Sequence, residues 1–267
     1  MPFSVATWNI NSVRLREPIV CDLLKAAKPD VLCLQEIKCR DDQFPLKKFA
    51  ALGYGHIAIH GQTGYHGVAT LSRHPIQEIV RRQFCGKDDA RHIAVVVETG
   101  AGPLTIDNFY IPAGGDIPDP AENEKFAHKL DFLHEFCAWG VENAKAKNRI
   151  AVGDFNIAPH PDDVWSHKQL LKVVSHTPVE TDALNKAQEA GLWRDVVRDR
   201  IPVPEKLFTW WSYRARDWDV SDRGRRLDHI WADAGVADRA TGVSILRDAR
   251  GWAKPSDHVP VIATFDF

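Results

Sequence analysis

A chain of 267 residues that is 44% hydrophobic and 26% charged has ordinary globular composition and enough length to bury a sizeable core. Its formal net charge of −2, with a pI near 6.6, excludes a nucleic-acid binder announced by bulk charge, so any such partner would need a local basic face. No stretch approaches membrane-span length, and "MPFSVATWNINSVR" has no basic leader before an apolar run, so the expectation is a cytoplasmic protein with no membrane partner.

"FSVATWNI" (3–10) reads as a strand and 17–28 as a helix, with Ile19, Val20, Leu23, Leu24 and Ala27 on one face. Pro18 suits the first turn of that helix and Pro29 closes it. "DVLCLQE" (30–36) and "HGVATLSR" (66–73) read as further strands. "HIAVVVETGAGPLTIDNFYIP" (92–112) is two strands joined by a Gly-rich turn, hence antiparallel. A long helix is predicted over about 121–146, with Phe126, Leu130, Leu133 and Cys137 marking its apolar stripe. Ile150, Ala151 and Val152 read as a short buried strand leading into "GDFN", and "RLDHIWA" (226–232) and "VPVIATFDF" (259–267) supply late strands. Hairpins mixed with helical crossovers point to mixed sheets covered by helices. No low-complexity tract or long linker divides the chain, so one domain over 1–267 is expected. Five cysteines without a CxxC pair read as free thiols in a reducing compartment, not as a zinc or disulfide framework.

Polar residues fall at strand ends. Asn9 closes the first strand, Glu36 ends "VLCLQE", Tyr110 ends "TIDNFY", Asp154 and Asn156 follow "IAVG", Asp228 lies in "RRLDHI", and Asp257 with His258 opens the last strand. Each alone has a plain reading as a turn, cap or surface residue; Asp154 or Asn156 in an Asx turn is one. Strands in packed sheets bring their ends to a common rim, however, and function tends to sit on such rims. Carboxylates with amide oxygens are hard ligands suited to Mg²⁺, with Mn²⁺ as a substitute. A hard metal, an Asp to handle water and a His paired with an Asp suit phosphodiester hydrolysis. There is no GxxxxGK[ST] loop and no GxSxG elbow, which removes P-loop and serine-triad chemistry. "PAGGD" (112–116) admits a backbone nest for a phosphate, although a Gly-rich turn is its commoner meaning.

"PDVLCLQEIK" (29–38), "GDFN" (153–156), "RLDHI" (226–230) and "SDHVPV" (256–261) stand in the order and spacing of the exonuclease III family, and the resemblance runs from "TWNINS" to the last strand. These are the abasic-site endonucleases of the endonuclease/exonuclease/phosphatase superfamily. The resemblance implies a DNase I-like α/β fold: a four-layer α/β sandwich of two mixed β-sheets packed face to face, helices outside, the site at one rim. It implies Glu36 as principal Mg²⁺ ligand with Asn9 or Asn11 and Asp257 nearby. Asp154 would align or deprotonate the attacking water, with Asn156 as its orienter, and Tyr110 would contact phosphate. Asp228 would fix His258 against the scissile phosphate. Three positions depart from the family pattern: Ala113 replaces an amide three residues after the tyrosine, "DVVRD" (195–199) replaces "D-S/T-F-R", and Asp222 replaces an asparagine.

From Arg198 to Arg226 there are eight Lys/Arg against five Asp/Glu, a local basic surplus on an acidic chain. Trp210, Trp211, Tyr213 and Trp218 are interleaved with these charges, one of the two adjacent tryptophans being expected in the core. By position Trp210 and Leu227 match the family's abasic-sugar pocket, and Asn11 and Arg226 are expected to bind substrate. The expected partner is double-stranded DNA with abasic sites or 3′ ends, acted on by a monomer. Expected activities are incision 5′ to the abasic site and 3′-end trimming by exonuclease or phosphatase action. The alternative keeps the scaffold and changes the substrate to an inositol phosphate or phospholipid.

Overall fold

The computed structural model describes residues 2–267. Twelve strands form two six-stranded sheets. They are β1 (Pro2–Asn9), β2 (Val31–Gln35), β3 (His56–His60), β4 (Val68–Ser72), β5 (Ile76–Val80), β6 (His92–Thr99), β7 (Gly102–Tyr110), β8 (Arg149–Asp154), β9 (Arg194–Asp195), β10 (Asp228–Ala232), β11 (Ala240–Ile245) and β12 (Val261–Asp266). One sheet runs β11-β12-β1-β2-β4-β3 and the other β5-β6-β7-β8-β10-β9. Each has one parallel pair near its centre, β1 with β2 and β7 with β8, flanked by antiparallel partners. The main helices are α1 (Val13–Ala26), α2 (Leu46–Ala50), α3 (Glu124–Asn143), α4 (His167–Leu170) and α5 (Pro178–Ala190). No helix among the described residues is long and apolar enough to cross a membrane.

Alternation along the central strands builds three cores, because successive side chains leave a strand on opposite faces. In β8, Ile150 and Val152 point between the sheets, where they join Val5, Val31, Val261, Ile93, Ile106 and Ile230. Ala151 points outward to meet Phe109, Trp231 and the aromatic face of α3, namely Phe132, Phe136 and Trp139. On the other sheet, Trp8, Leu32, Leu34 and Leu71 pack outward against Val20, Leu23 and Leu24 of α1 and Phe49 of α2. The result is helix, sheet, sheet, helix: the four-layer sandwich expected from the sequence.

Two expectations about helices are corrected. Helix α1 starts at Val13, so Pro18 lies inside it and does not open it. The early start is supported by the β2 exit, where the Glu36 and Ile37 carbonyls accept from the N–H groups of Ser12 and Val13. In α3 the buried face is Phe126, Lys129, Phe132, Leu133, Phe136, Trp139 and Gly140, while Leu130 and Cys137 are only partly buried. A stripe of apolar residues passes over the lysine at its centre. Lys129 Nζ reaches Glu180 of α5 at 2.5 Å, with both side chains fully buried.

Candidate active site

Both sheets present the same end to one rim. Tyr110, Asp154 and Asp228 stand in a row there, since Tyr110 pairs with Asp154 across β7–β8 and Asp228 pairs with Asp154 across β8–β10. Gly153 sets this spacing. A Cβ at its position would lie 1.9 Å from the Phe109 carbonyl oxygen, so only glycine lets β8 close on β7 one residue before Asp154. From the other sheet come Asn9 at the end of β1, Glu36 just past β2, and Asp257 and His258 ahead of β12. Asn11, Glu36 and Asn156 all take positive φ, turning the chain out of its strand at the rim.

The side chains interlock. Asn9 Nδ2 donates to Glu36 Oε1 and to Asp154 Oδ2, each at 2.8 Å. Its Oδ1 accepts from the Asn11 N–H, so the amide nitrogen, not the oxygen, faces the acids. Asn9 is therefore a bridge between two carboxylates in this arrangement. Asp154 also accepts from the Asn156 backbone N–H at 2.9 Å and from Asn156 Nδ2 at 3.1 Å. The Asx turn is thus formed at a position on the shared rim. His258 Nδ1 pairs with Asp228 Oδ2 at 2.8 Å, and its Nε2 faces Asp154 Oδ2 at 3.6 Å. Thr209 Oγ1 donates to the same Asp228 oxygen at 2.6 Å.

The electrostatics follow from burial and charge. Burial pushes the Asp154 carboxyl up to about 7, with neighbouring Asp228 and Glu36 adding to the rise while His258 and Asn9 oppose it. For His258, burial disfavours the cation, but Asp228 and Asp154 outweigh it and raise the imidazole to about 10. Burial beside Glu36 and Asp154 holds the Tyr110 phenol well above its ordinary range, so it is an O–H donor at neutral pH. Glu36 is pushed up by burial, yet the Lys38 ammonium and the Asn9 amide bring it below the usual carboxylate range.

Glu36, Asn11 and Asp257 supply hard oxygens, and for Glu36 and Asn11 the fit to a cation is visible in the ammonium they already hold. Lys38 Nζ sits 2.7 Å from both Glu36 Oε2 and Asn11 Oδ1. Asn11 Nδ2 then donates to Asp257 Oδ1 at 3.1 Å, and Trp210 Nε1 donates to Asp257 Oδ2 at 3.0 Å. A divalent ion suits this donor set. Asp154, Asp228 and His258 also offer ligand atoms within 4.8 Å of one another, but the two acids keep the His258 imidazole protonated, which leaves its Nε2 no lone pair for an ion.

Beside the row lies a cleft of about 710 Å³, lined by Glu36, Asn156, His258, Trp210, Leu227 and Arg225, among others. Trp211 is in the core, as one of the pair was expected to be, with its Nε1 donating to Asp222 at 2.9 Å. Asp222 thus serves as an acceptor where the family pattern has asparagine. Arg226 does not reach the cleft. It is 1% exposed and fully engaged with Asp163 and Asp195, which corrects its expected substrate role: its charge is spent fastening segment 161–163 to β10. The neighbouring Arg225 lines the cleft instead, with its guanidinium 5.2 Å over the Trp210 ring. Strand alternation decides between two adjacent arginines, and sequence composition does not. Lys38 and Thr209 join the site although their motifs, "LQEIK" and "FTWW", give them no role; their partners come from distant segments.

Residues 6–258 match the Endonuclease/Exonuclease/phosphatase family. The chain is 34% identical over 272 residues to exodeoxyribonuclease III of Haemophilus influenzae, covering 97% of this chain and 98% of that one. Among solved structures it is similar to an AP endonuclease from Archaeoglobus fulgidus, at a TM-score of 0.91 and 31% identity, covering 99% and 100% of the two chains. It is similar also to a variant of the 3′ phosphatase NExo from Neisseria bound to product DNA hairpin, at a TM-score of 0.90 and 29% identity, with the same coverage. The chain belongs to the endonuclease/exonuclease/phosphatase family, in its exonuclease III branch.

Proposed function

We propose that this metal-dependent nuclease is a DNA repair enzyme that hydrolyses the phosphodiester 5′ to an abasic site and also processes 3′ ends. The observation that carries the reading is His258, held by Asp228 at 2.8 Å and facing Asp154 at 3.6 Å, on a rim that also holds the cation-binding oxygens. Asp154 is the base that orients and deprotonates the attacking water, and a carboxyl near 7 is matched to that task at neutral pH. Asn9 and Asn156 fix its orientation through three hydrogen bonds. The His258 imidazolium and the Tyr110 hydroxyl donate to phosphate oxygens as charge develops on them. Glu36, Asp257 and Asn11 would hold Mg²⁺, with Mn²⁺ as substitute, where the Lys38 ammonium now meets Glu36 and Asn11. An ion there would supply neutralisation of phosphate charge and polarisation of the scissile group. Trp210 and Leu227 floor a pocket for a sugar without its base, and such a nucleotide leaves the stack at low cost. The enzyme works as a cytoplasmic monomer on double-stranded DNA, its whole length acting as one domain.

The test puts two labelled duplexes side by side, with Mg²⁺ and with EDTA. One carries an internal reduced abasic analogue and the other a recessed 3′-phosphate end. The expected result is Mg²⁺-dependent cleavage 5′ to the abasic position and release of the 3′ phosphate, both lost in Asp154→Asn. Activity only at the 3′ end would overturn the endonuclease part. Silence on both duplexes, with turnover of an inositol phosphate, would overturn the DNA reading.

A further inference from the structure

Beyond Trp210 and Leu227 the cleft has a second aromatic wall. Residues 223–225 lie between two neighbouring segments: Val164 and Trp210 each bridge to Arg225, and the Trp165 N–H donates to the Gly224 carbonyl at 3.1 Å. A Cβ at Gly224 would meet the Phe208 ring at 2.6 Å, so the middle residue faces inward and Arg223 and Arg225 face the cleft together. Each guanidinium lies over an indole from the adjoining segment, Arg225 over Trp210 at 5.2 Å and Arg223 over Trp165 at 4.8 Å. All four side chains line the same cleft. The two pairs differ in one respect. Arg225 Nη1 is tied to the Val174 carbonyl and Ser175 Oγ, whereas Arg223 is exposed.

A cleft of about 710 Å³ is as large as sites that enclose a drug-sized ligand. One sugar phosphate without a base fills only part of it. The remaining wall is flat, cationic and aromatic. Arg–indole stacks of this kind offer a base a π-face and a phosphate an N–H edge, and they do so without reading sequence.

We propose that Trp165 and Arg223 form a second nucleotide subsite, which takes the base-bearing nucleotide next to the lesion in the incised strand. The base stacks on the Arg223–Trp165 pair and the guanidinium edge meets its phosphate. This rests on the DNA reading above. The subsite gives an intact neighbour a place to stack while the abasic sugar occupies the Trp210 pocket, so it contributes binding and leaves bond cleavage to the Asp154 row.

The test uses the full chain and duplexes with a reduced abasic analogue, carrying 2-aminopurine on its 5′ side in one and its 3′ side in the other. With Mg²⁺, Trp165→Ala is expected to raise KM about tenfold, the scale of one lost base–aromatic stack, with kcat held within about twofold. Trp165→Phe is expected to restore most of the KM, and Arg223→Ala to raise it comparably. In EDTA, wild-type protein is expected to change 2-aminopurine fluorescence at one flank, and Trp165→Ala to abolish that change. An active wild type with unchanged KM in Trp165→Ala, or a KM loss that Phe does not rescue, overturns the subsite and leaves the DNA reading standing. So does fluorescence that is the same in wild type and variant at both flanks. A wild type that cleaves neither this duplex nor a 3′-phosphate end overturns both.

Discussion

At the scale of single residues, the site is a problem of three charges that burial alone would not tolerate. Asp154 and Asp228 are cross-strand partners, and like charges directly opposite repel. The imidazolium of His258 between them offsets that repulsion, and in return the two acids raise its pKa to about 10. With Asp154 as base and His258 as phosphate donor, as proposed above, activity needs Asp154 ionised and His258 protonated. The sign at each limb follows: kcat/KM rises with pH as Asp154 loses its proton near 7, and falls as His258 loses its own near 10. Asp228 is the largest contributor to the raised imidazole, so Asp228→Asn is expected to move the alkaline limb to lower pH. A pH profile of kcat/KM for wild type and variant checks this. An alkaline limb that stays in place, or moves up, would detach it from His258.

At the scale of elements, the loops that carry the site are fastened by one buried ion pair that does not line the cleft. Lys129 of α3 donates to the Asn156 carbonyl at 2.9 Å and the Ala113 carbonyl at 3.2 Å, and pairs with Glu180 of α5. Glu180 in turn accepts from the backbone N–H groups of Ser175 and Thr177 and from the Thr177 hydroxyl. The Tyr110 loop, the Asp154 loop and the cleft wall at Ser175 thus share a common anchor. Ala113, which departs from the family pattern at its side chain, is held here by its carbonyl. Lys129→Met leaves Glu180 buried without its cation, a change that costs about 3–5 kcal/mol. Thermal unfolding is expected to fall by roughly 10 °C, at about 2–4 °C per kcal/mol for a chain of this size. Glu180→Gln added to Lys129→Met is expected to recover part of the loss by removing the unpaired charge. A melt unchanged within a degree or two in Lys129→Met would show that the pair is not holding these elements. This anchor is not legible in the sequence. Periodicity finds apolar faces, and a lysine at the centre of one reads as an interruption until its partner, 51 positions away, is placed against it. The same limit explains Pro18: local rules put it in a first turn, while the start of α1 is decided by carbonyls beyond β2. Sequence reasoning is sound where a residue's neighbours in sequence are also its neighbours in the fold, as for the alternating strands and the motifs at their ends.

At the scale of the whole molecule, two sheets with the same central parallel pair meet face to face, and their ends deliver acids from one and acids with a phenol from the other to one rim. The strand ends are visible in the sequence as polar residues closing apolar runs. Their convergence follows from the sandwich, which hairpin and crossover patterns suggest and the family resemblance specifies. Which arginine faces the cleft depends on a one-residue alternation that composition cannot resolve, so Arg226 is expected there and Arg225 is found. The net charge of −2 says nothing of where charge sits, and the cleft holds Arg214, Arg223 and Arg225 alongside Glu36, Asp116 and Asp257. If the three arginines neutralise DNA phosphates, counterion release makes log(kcat/KM) at low substrate fall linearly with log[salt], at a slope of about −3. Arg214→Ala is expected to make that slope shallower by about one while lowering binding evenly across DNA sequences, since a phosphate contact carries no base information. Initial rates on the abasic duplex from about 50 to 200 mM salt measure it. A flat salt dependence in the wild type would mean that bulk charge, not the cleft, describes how this enzyme meets DNA.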